Sequence, residues 1–358
     1  MKPIHCSLLV AALAPACVAS DLGDPSTSTT TAAVGLPGGG GKGYGDGTNC
    51  PSWGCGTNSP VIGPWNFHEL DVDGEANAAG LKLVAMVLNG NAYRPEVVGA
   101  ELIGHSLDEQ SYPSRYGVDL AGATLRVEAP DGTYDIRIAA VEYVTRYWVG
   151  SPDLNYTYEL EYTGPDQMDY QPVCHNPPVR SGAFPHALGA LLFTGDRYDA
   201  ARKLVISSEP DETRGWFNIA CAGSALGKLH LNRHTTAGST SDDKSTREQR
   251  QSMLKMFVSD VCGTGRPFTH AGEPLHYENA DGWMTLDGTE ASYEALWDAD
   301  GALCLDEHRL EADPDYPDIR KQIDEECELV GHELRPCDEL DGFPDAWQKL
   351  AYLLSANP

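Results

Sequence analysis

The sequence has few basic residues for its length. Lysine and arginine together number 25 of 358 residues, against 53 aspartates and glutamates, so the formal net charge is -28 at pH 7. A surface this acidic repels nucleic acid and anionic lipid headgroups, and it favours solubility, cations and basic partners. We therefore expect no nucleic-acid partner for this chain.

Several motifs that identify enzymes and metal sites are missing. There is no GxxxxGK[ST] phosphate loop, and the glycine run at 38–41 lacks the strand-then-helix context of a dinucleotide site. The GxSxG serine motif is absent, because the residues around Ser224 read AGSAL. No CxxC pair occurs either. The sequence therefore predicts no cofactor and identifies no catalytic residue.

The histidine motifs are incomplete. His68 and His332 are each followed by glutamate, as in an HExxH zinc motif, but neither has a second histidine where the motif requires one. His230 and His234 would share one face of a helix, but Leu231 stands where a zinc motif has glutamate. We interpret these histidines as ordinary polar residues.

Two acidic segments leave other chemistries open. Residues 71–75 read DVDGE and resemble part of a calcium loop, but the glycine comes fourth instead of sixth, which favours an aspartate-rich turn. Residues 306–345 hold 15 carboxylates and four basic side chains. Paired carboxylates cleave glycosidic bonds when their separation in space is suitable, and sequence does not give that separation.

The amino terminus has the composition of an export signal. Residues 1–20 combine a positive start with an apolar stretch at 7–14, which is too short to span a bilayer. Cleavage after Ala16 would leave Cys17 as a lipidated first residue, whereas cleavage near Ser20 would release a soluble chain. Both routes stay open, and a lipid on Cys17 is the only membrane attachment we expect. The protein would be secreted, or a lipoprotein of the outer membrane or cell surface.

The cysteine count agrees with export. Eight cysteines follow the signal, and an even number in an exported chain predicts up to four disulfides. Their pairing is not determined by sequence, although closeness along the chain favours Cys50 with Cys55 and Cys327 with Cys337. The eight candidates are Cys50, Cys55, Cys174, Cys221, Cys262, Cys304, Cys327 and Cys337.

Changes in composition divide the mature chain into three parts. Residues 21–59 are rich in Ser, Thr and Gly, so we predict a disordered linker. Residues 60–168 show short alternating runs separated by turns, which predicts a small β-rich unit. Residues 169–358 mix strands with helices, which predicts a disulfide-stabilised α+β domain. The fold class is therefore α+β, dominated by β-structure.

Several elements can be placed within these parts. A strand at 81–88 ends at an Asn-Gly turn signal, and a further strand is possible at 96–103. Residues 124–128 alternate between apolar and polar side chains, which predicts another strand. The clearest helix covers 242–260, where Ser241 can cap its start. A last amphipathic helix is predicted to begin at Pro344, with an apolar stripe of Trp347, Leu350, Leu353 and Leu354.

The second half of the chain resembles a known family. Residues 216–228 read WFNIACAGSALGK, and residues 259–265 read SDVCGTG. The order and spacing of such blocks over roughly 170–340 resemble the ADYC domain, a family of exported bacterial proteins named for an Ala-Asp-Tyr-Cys motif. The resemblance implies export, often as a lipoprotein, and a disulfide-bearing α+β domain. It supplies no catalytic residue.

The family motif is only partly kept in this chain. Asp260 and Cys262 match it and Gly263 follows it, whereas Ser259 and Val261 depart from it. A tyrosine hydroxyl is therefore not essential to what this member does. Asp260 would face the negative end of a helix dipole. We expect its oxygens to accept hydrogen bonds from backbone N–H groups of the next turn, and the alternative is a cation or substrate ligand.

These observations favour one class of function over two others. The leading hypothesis is an exported or envelope-anchored module without catalytic activity, which presents a rigid surface to an unidentified extracellular or envelope partner. One alternative is a secreted hydrolase that acts on extracellular polymers through carboxylates. The other is a calcium-dependent binding protein.

Overall fold

The fold is described from a computed structural model of the chain. The described residues are 30–31, 60–146, 154–174, 189–221, 224–232, 245–269, 274–282, 285–286, 288 and 290–357. Several predictions fall outside these ranges: the signal at 1–20 with Cys17, the linker at 21–59 apart from two residues, the Cys50–Cys55 pair, His234 and Ser241.

Strands dominate the described residues, which confirms the predicted α+β class with mostly β-structure. The strands are β1 (Thr30–Thr31), β2 (Val61–Ile62), β3 (Trp65–Asn66), β4 (Glu69–Asp71), β5 (Lys82–Leu88), β6 (Asn91–Val98), β7 (Glu101–Ser106), β8 (Arg115–Tyr116), β9 (Thr124–Ala129), β10 (Gly132–Arg146), β11 (Leu154–Thr163), β12 (Gln171–Pro172), β13 (Ala190–Phe193), β14 (Arg197–Asp199), β15 (Leu204–Ser207), β16 (Trp216–Cys221), β17 (Pro274–Asn279), β18 (Ser292–Trp297), β19 (Ala302–Leu305) and β20 (Leu353–Asn357). The helices are α1 (Pro210–Thr213), α2 (Ala225–Leu231), α3 (Arg247–Val258) and α4 (Ile319–Val330), and short 3-10 turns lie at Gly117–Leu120, Cys337–Glu339 and Trp347–Lys349.

Eleven strands form one antiparallel sheet. Their order is β4-β16-β13-β11-β10-β9-β5-β6-β7-β8, with β12 paired to β11. The sheet folds over on itself, because the Leu102 N–H on β7 donates to the Tyr158 hydroxyl on β11 at 2.9 Å. The Thr194 N–H after β13 likewise donates to the Gly99 carbonyl between β6 and β7 at 2.8 Å. The two layers enclose a first apolar core.

Local patterns explain the hairpins of this sheet. The strand predicted at 81–88 is β5, and the chain turns at Asn89 and Gly90 into β6. The strand predicted at 96–103 is wrong as a single element. Gly99 has φ +61°, so the chain reverses there and the segment divides between β6 and β7. Glycine adopts this left-handed conformation without the strain that a Cβ would bring.

Strands β13 and β16 contribute side chains to two different cores. Ala190 and Leu192 on β13 belong to the first core, whereas Leu191 and Phe193 belong to a second one. A strand buried on both faces reads as a continuous apolar run instead of an alternating one. Both strands follow residue 168, so the large sheet crosses the boundary drawn there between the two predicted units.

The second core lies beside a five-stranded sheet. That sheet has the order β1-β17-β20-β18-β19, and β1 comes from the segment predicted as a linker. Helices α2 and α3 pack against this sheet and against the β13–β16 end of the large one, with Leu226, Leu229, Met253 and Phe257 fully buried. Full burial of an aliphatic or aromatic side chain stabilises the fold by about 1.5–3 kcal/mol.

Helix α3 corresponds to the helix predicted at 242–260, but it begins later. Its cap is Thr246 and not the predicted Ser241. The Thr246 hydroxyl accepts a hydrogen bond from the Gln249 N–H at 3.2 Å, and the Gln249 side chain accepts one from the Thr246 N–H at 2.7 Å. This reciprocal arrangement satisfies two amides at once, which a single serine cap does not do.

The helix predicted from Pro344 is wrong. Only the 3-10 turn at Trp347–Lys349 forms there. The leucines of the predicted apolar stripe include Leu353 and Leu354, which belong to β20. That strand is central, because it pairs with β17 on one side and β18 on the other. Its two faces are buried in different cores, since Leu353 belongs to the second core and Leu354 to a third one.

Helix α4 lies inside the acidic segment, and the patterns above do not predict it. Its buried positions are Ile319, Ile323 and Cys327, spaced by four residues along one face. Because Cys327 faces inward, it lies against the end of α3 and not toward Cys337. The predicted Cys327–Cys337 pair is therefore wrong.

Three disulfides join segments that are distant in sequence. They are Cys174–Cys221, Cys262–Cys327 and Cys304–Cys337, with sequence separations of 47, 65 and 33 residues. Closing loops of this size reduces the entropy of the unfolded chain, which stabilises the fold by about 4 kcal/mol for each bond on the chain-entropy argument. Six of the eight predicted cysteines are thus paired.

Candidate functional site

The last turn of α3 and the loop after it, residues 255–265, form what we call the α3 corner. Asp260 lies in this corner with its carboxylate buried. Its Oδ2 accepts hydrogen bonds from Lys255 Nζ at 2.5 Å and from the Gly265 N–H at 2.9 Å. The second contact is the backbone interaction expected from the sequence. Burial raises the pKa of Asp260, and the Lys255 charge opposes that rise.

The Lys255 ammonium holds the corner together from inside. Besides Asp260, it donates to the Arg202 carbonyl at 3.3 Å and to the Gly263 carbonyl at 3.4 Å. A carboxylate with two backbone carbonyls is a set of oxygens that a bound cation would use. In this protein the cation is the side chain of Lys255 itself, which supports a structural role for Asp260.

The two other motif positions connect the corner to its neighbours. Cys262 forms the disulfide to α4. Gly263 has φ +72°, and a Cβ on it would lie 2.0 Å from the Asp300 carbonyl oxygen. Only glycine allows this approach, and the Ala302 N–H next to it donates to the Val261 carbonyl at 2.9 Å.

A serine and a histidine meet at the same corner. Ser259 Oγ lies 2.9 Å from His308 Nε2, and both residues are buried. However, the Leu310 N–H donates to His308 Nδ1 at 3.2 Å, so Nδ1 carries the lone pair and Nε2 carries the proton. A general base needs its lone pair toward the serine hydroxyl. As placed, His308 cannot take the serine proton. Burial also lowers the pKa of His308 to about 4, which keeps the ring neutral.

The Glu294 carboxylate is close enough for its charge to act on His308, and it is already bound. Arg309 donates to its two oxygens through Nε and Nη2, each at 2.7 Å, and the Ser355 hydroxyl donates to Oε2 at 2.8 Å. Trp297 Nε1 in turn donates to the Ser355 hydroxyl at 2.8 Å. Burial alone would raise the pKa of Glu294, but the Arg309 charge and the hydrogen bonds from Arg309 and Ser355 together outweigh burial and hold the pKa below its ordinary value.

Two further ion pairs lie near β14. Arg250 on α3 makes a two-pronged contact with buried Asp196, whose Oδ1 is 3.0 Å from Nη2. Arg197 binds Glu69 in the same manner, at 3.0 and 3.2 Å, while its guanidinium lies 3.6 Å from the centre of the Trp216 ring. Such parallel bonds fix the geometry of both partners.

A common feature links these contacts. Among the described residues, each buried carboxylate has a structural partner: Glu69, Asp196, Asp260 and Glu294 bind a cationic side chain, and Asp71 accepts backbone N–H bonds. Arginine binds both oxygens of Glu69, Asp196 and Glu294, whereas Asp260 is bound through Oδ2 and its Oδ1 has no hydrogen-bond partner among the described residues.

The histidines singled out in the sequence are also structural where they are described. His68 Nε2 contacts the Tyr198 carbonyl at 2.7 Å, and His332 Nε2 contacts the Ala302 carbonyl at 2.7 Å. His230 stacks on Phe193 with ring centres 4.3 Å apart. Burial lowers its pKa to about 3. Its proposed partner in a metal site, His234, lies outside the described residues.

The DVDGE segment forms a turn. Asp71 Oδ1 accepts hydrogen bonds from the Asp73 N–H at 2.8 Å and the Glu75 N–H at 3.0 Å, as expected for an aspartate-organised turn. Within the described ranges there is no group of three or more histidine, cysteine, aspartate or glutamate side chains arranged to hold a metal ion. Among the helices placed there, none has the length and apolar character needed to cross a bilayer.

The buried side chain of Lys228 is not predicted by any pattern in the sequence. Lys228 on α2 has no exposed surface, and its Nζ makes no hydrogen bond to any described residue. Burial lowers the pKa of Lys228 well below its ordinary value, and the charge of Arg309 lowers it further. The available sequence signal is a single lysine among the apolar residues of ALGKLHL, and such a lysine is usually assumed to face solvent.

Comparison with known proteins places the chain in a family. The sequence profile of the ADYC domain matches residues 117–311, which is more than half of the chain, so the protein belongs to the ADYC domain family. The match begins well before residue 170, the start of the resemblance in sequence, and thus includes strands of the large sheet. Searches of curated proteins and of solved structures each gave no match.

Proposed function

We propose that this protein is an exported or envelope-anchored module without catalytic activity, which binds or supports an extracellular or envelope partner. The observation that carries the proposal is the internal pairing of its buried carboxylates. Glu69, Asp196 and Glu294 bind an arginine side chain through both oxygens, and Asp260 binds Lys255 through Oδ2. These buried ion pairs therefore serve to hold the fold rigid.

The disulfides support an oxidising location. Bonds such as Cys262–Cys327 persist outside the cytosol and are rare within it. Together with the signal predicted at 1–20, they favour export. A lipid on Cys17 would keep the protein at the membrane, and cleavage near Ser20 would release it.

The hydrolase alternative can be tested on the two arrangements that most resemble catalytic sites. Purified protein is incubated with extracellular polysaccharide and protein polymers, and new reducing ends and amines are measured. We expect no rate above buffer. A rate abolished by Glu294→Gln but kept by Glu325→Gln, whose side chain is 64% exposed on α4, would contradict the proposal. Labelling of Ser259 by a fluorophosphonate, lost in Ser259→Ala, would do the same.

The binding role needs its own measurement. Fluorescently labelled mature protein is added to intact cells that lack it, and bound fluorescence is measured against concentration. We expect saturable binding that unlabelled protein displaces and that reduction and alkylation of the disulfides abolish. Binding that does not saturate, or that survives loss of the disulfides, would argue against a rigid recognition surface. Equal binding with calcium and with a chelator would set aside the calcium-dependent alternative.

A further inference from the structure

The solvent-facing side of the large sheet carries two ion pairs between neighbouring strands. Arg126 on β9 donates to the two oxygens of Asp135 on β10, through Nε at 2.8 Å and Nη2 at 3.0 Å. Arg137 on β10 donates through Nε and Nη2 to Oε2 of Glu161 on β11, with Nε at 3.1 Å. These four side chains keep between 26% and 52% of their surface exposed, so both pairs are open to solvent.

Strand pairing brings the two ion pairs into one patch. Asp135 lies directly opposite Arg126, and Arg137 lies directly opposite Glu161. Asp135 and Arg137 are two residues apart on β10, so their side chains are on the same face of the sheet. Ile136 between them points the other way, into the first core. The two ion pairs therefore occupy adjacent rows of one face.

An exposed aromatic ring extends this patch. The guanidinium carbon of Arg137 lies 4.0 Å from the centre of the Tyr170 ring. Tyr170 directly precedes β12, which pairs with β11 at Glu161. The guanidinium holds the ring in place from one face, while 36% of the residue stays exposed. We call Arg126, Asp135, Arg137, Glu161 and Tyr170 together the charged strip.

The residues paired with the strip on adjacent strands have short side chains. Ala85 on β5 lies opposite Arg126, and Thr124 on β9 lies opposite Arg137. Thr163 on β11 lies opposite Asp135. The strip runs from β9 across β10 and β11 to the start of β12, which is about 15 Å at about 4.8 Å between strands. It therefore offers a flat surface with the length of a short oligomer.

The chemistry of the strip matches a neutral sugar. Its two guanidinium groups balance its two carboxylates, whereas the whole chain has a formal net charge of -28. A polyanion would be repelled by such a chain and would find no excess of positive charge on the strip. Guanidinium groups only donate hydrogen bonds and carboxylates only accept them, so the strip offers both kinds of group side by side. Neighbouring hydroxyls of a sugar donate and accept in the same way.

The aromatic ring adds a second element of recognition. A pyranose ring has an apolar face of C–H groups, and such a face packs on an aromatic side chain while the hydroxyls around it stay hydrogen-bonded. Tyr170 is already held by Arg137, so little side-chain freedom is lost when a ligand packs on it. A rigid ring beside fixed polar groups is thus prepared for binding.

We propose that the charged strip binds a neutral polysaccharide of the cell surface. Tyr170 packs against one sugar ring, and the two ion pairs hydrogen-bond the hydroxyls of its neighbours. This inference rests on the proposed function, because it names the class of partner that the binding module recognises.

Isothermal titration calorimetry of the mature protein tests the strip directly. The probes are hexasaccharides of glucose, mannose, xylose and N-acetylglucosamine, with a galacturonic acid oligomer as the acidic comparison. We expect saturable heat from at least one neutral probe and none from the acidic one. Tyr170→Ala should weaken that binding about tenfold or more, as for a residue at the centre of an interface, and Tyr170→Phe should retain it. Tyr116→Ala removes a tyrosine that is 60% exposed on β8 and should leave the affinity unchanged.

Three results would overturn the assignment of the strip. They are no heat from any neutral probe, stronger binding of the acidic probe, and equal affinity of Tyr170→Ala and the parent protein. The cell-binding measurement described above separates this failure from failure of the proposed function. Equal binding of Tyr170→Ala and parent to cells would refute the strip and keep the binding function. Sugar binding that depends on Tyr170, without any binding to cells, would keep the strip and contradict the proposed function.

Discussion

Lys255 and Asp260 form a buried ion pair at the end of α3, with Nζ 2.5 Å from Oδ2 and almost no exposure of either side chain. The pair joins the helix to the β14–β15 hairpin turn, because Lys255 also donates to the carbonyl of Arg202. Asp260 is a position of the family motif, and this contact gives it a structural task. This position of the motif therefore stabilises the fold of the domain and does not by itself identify a chemical activity.

Removing one partner of this pair should be strongly destabilising. Asp260→Ala leaves the Lys255 ammonium buried without its carboxylate, so we expect a loss of about 3–5 kcal/mol in the free energy of unfolding. Urea unfolding monitored by circular dichroism measures it. Asp211→Ala removes an aspartate from a contact with Arg214 in which both side chains are largely exposed, and should leave the urea midpoint unchanged. A similar midpoint for both variants would contradict a structural role for Asp260.

Two glycines with nearly the same backbone angle should respond differently to alanine. Gly263 has φ +72° and no room for a Cβ, whereas Gly331, at the end of α4, has φ +69° and open space around it. Gly331→Ala should cost only the strain of a left-handed alanine, about 1–2 kcal/mol. Gly263→Ala adds the clash with the Asp300 carbonyl and should unfold the domain or cost several kcal/mol more. Chemical denaturation of the two variants side by side is the measurement, and equal losses would contradict the described packing.

Lys228 should make stability depend on pH in the alkaline range. Its pKa is lowered in the folded protein, so the unfolded state binds the extra proton between that lowered pKa and 10.5. Stability therefore rises with pH in this window, with a slope of up to about 1.4 kcal/mol per pH unit. Lys228→Met should be more stable than the parent at pH 7 and should lack this part of the slope. Urea unfolding between pH 7 and pH 9 compares the two proteins, and parallel stability curves would contradict the lowered pKa of Lys228.

His230 should contribute to loss of stability in acid. Its pKa is lowered from 6.5 to about 3 by burial, so the unfolded state takes up a proton first as the pH falls below 6.5. The fold then loses stability progressively down to about pH 3, by an amount on the order of 4 kcal/mol. His230→Phe keeps the stacking on Phe193 and should flatten the curve between pH 6.5 and pH 4. His105→Gln, at a partly exposed site, should follow the parent. No difference between the two variants would mean that His230 does not titrate as described.

Sequence reasoning succeeded where the signal is local. The alternation in residues 124–128 predicts β9, and the Asn-Gly signal predicts the turn after β5, because both depend only on neighbouring residues. The error at Pro344 has the opposite cause. Leucines in a central strand are buried on both faces, and such a run cannot be distinguished from one turn of an apolar helix stripe.

The buried polar groups could be predicted only in part. The position of Asp260 before a glycine-rich segment predicts its role in a turn. Its partner Lys255 lies five residues earlier on a helix, where a lysine is ordinarily predicted to be exposed. Similarly, Lys228 looks solvent-exposed by residue type, and only the packing of α2 against two sheets buries it. The disulfide pairing depends on the inward face of α4, which spacing along the chain does not reveal.

We propose that this disulfide-bearing member of the ADYC domain family is exported. Mass spectrometry of the mature protein from a native-type host, intact and after peptide mapping without reduction, tests it most directly. We expect a chain that begins at a lipid-bearing Cys17 or near Asp21, with linked peptides for Cys174–Cys221, Cys262–Cys327 and Cys304–Cys337. A chain that still begins at Met1, or free thiols at these six positions, would contradict the account.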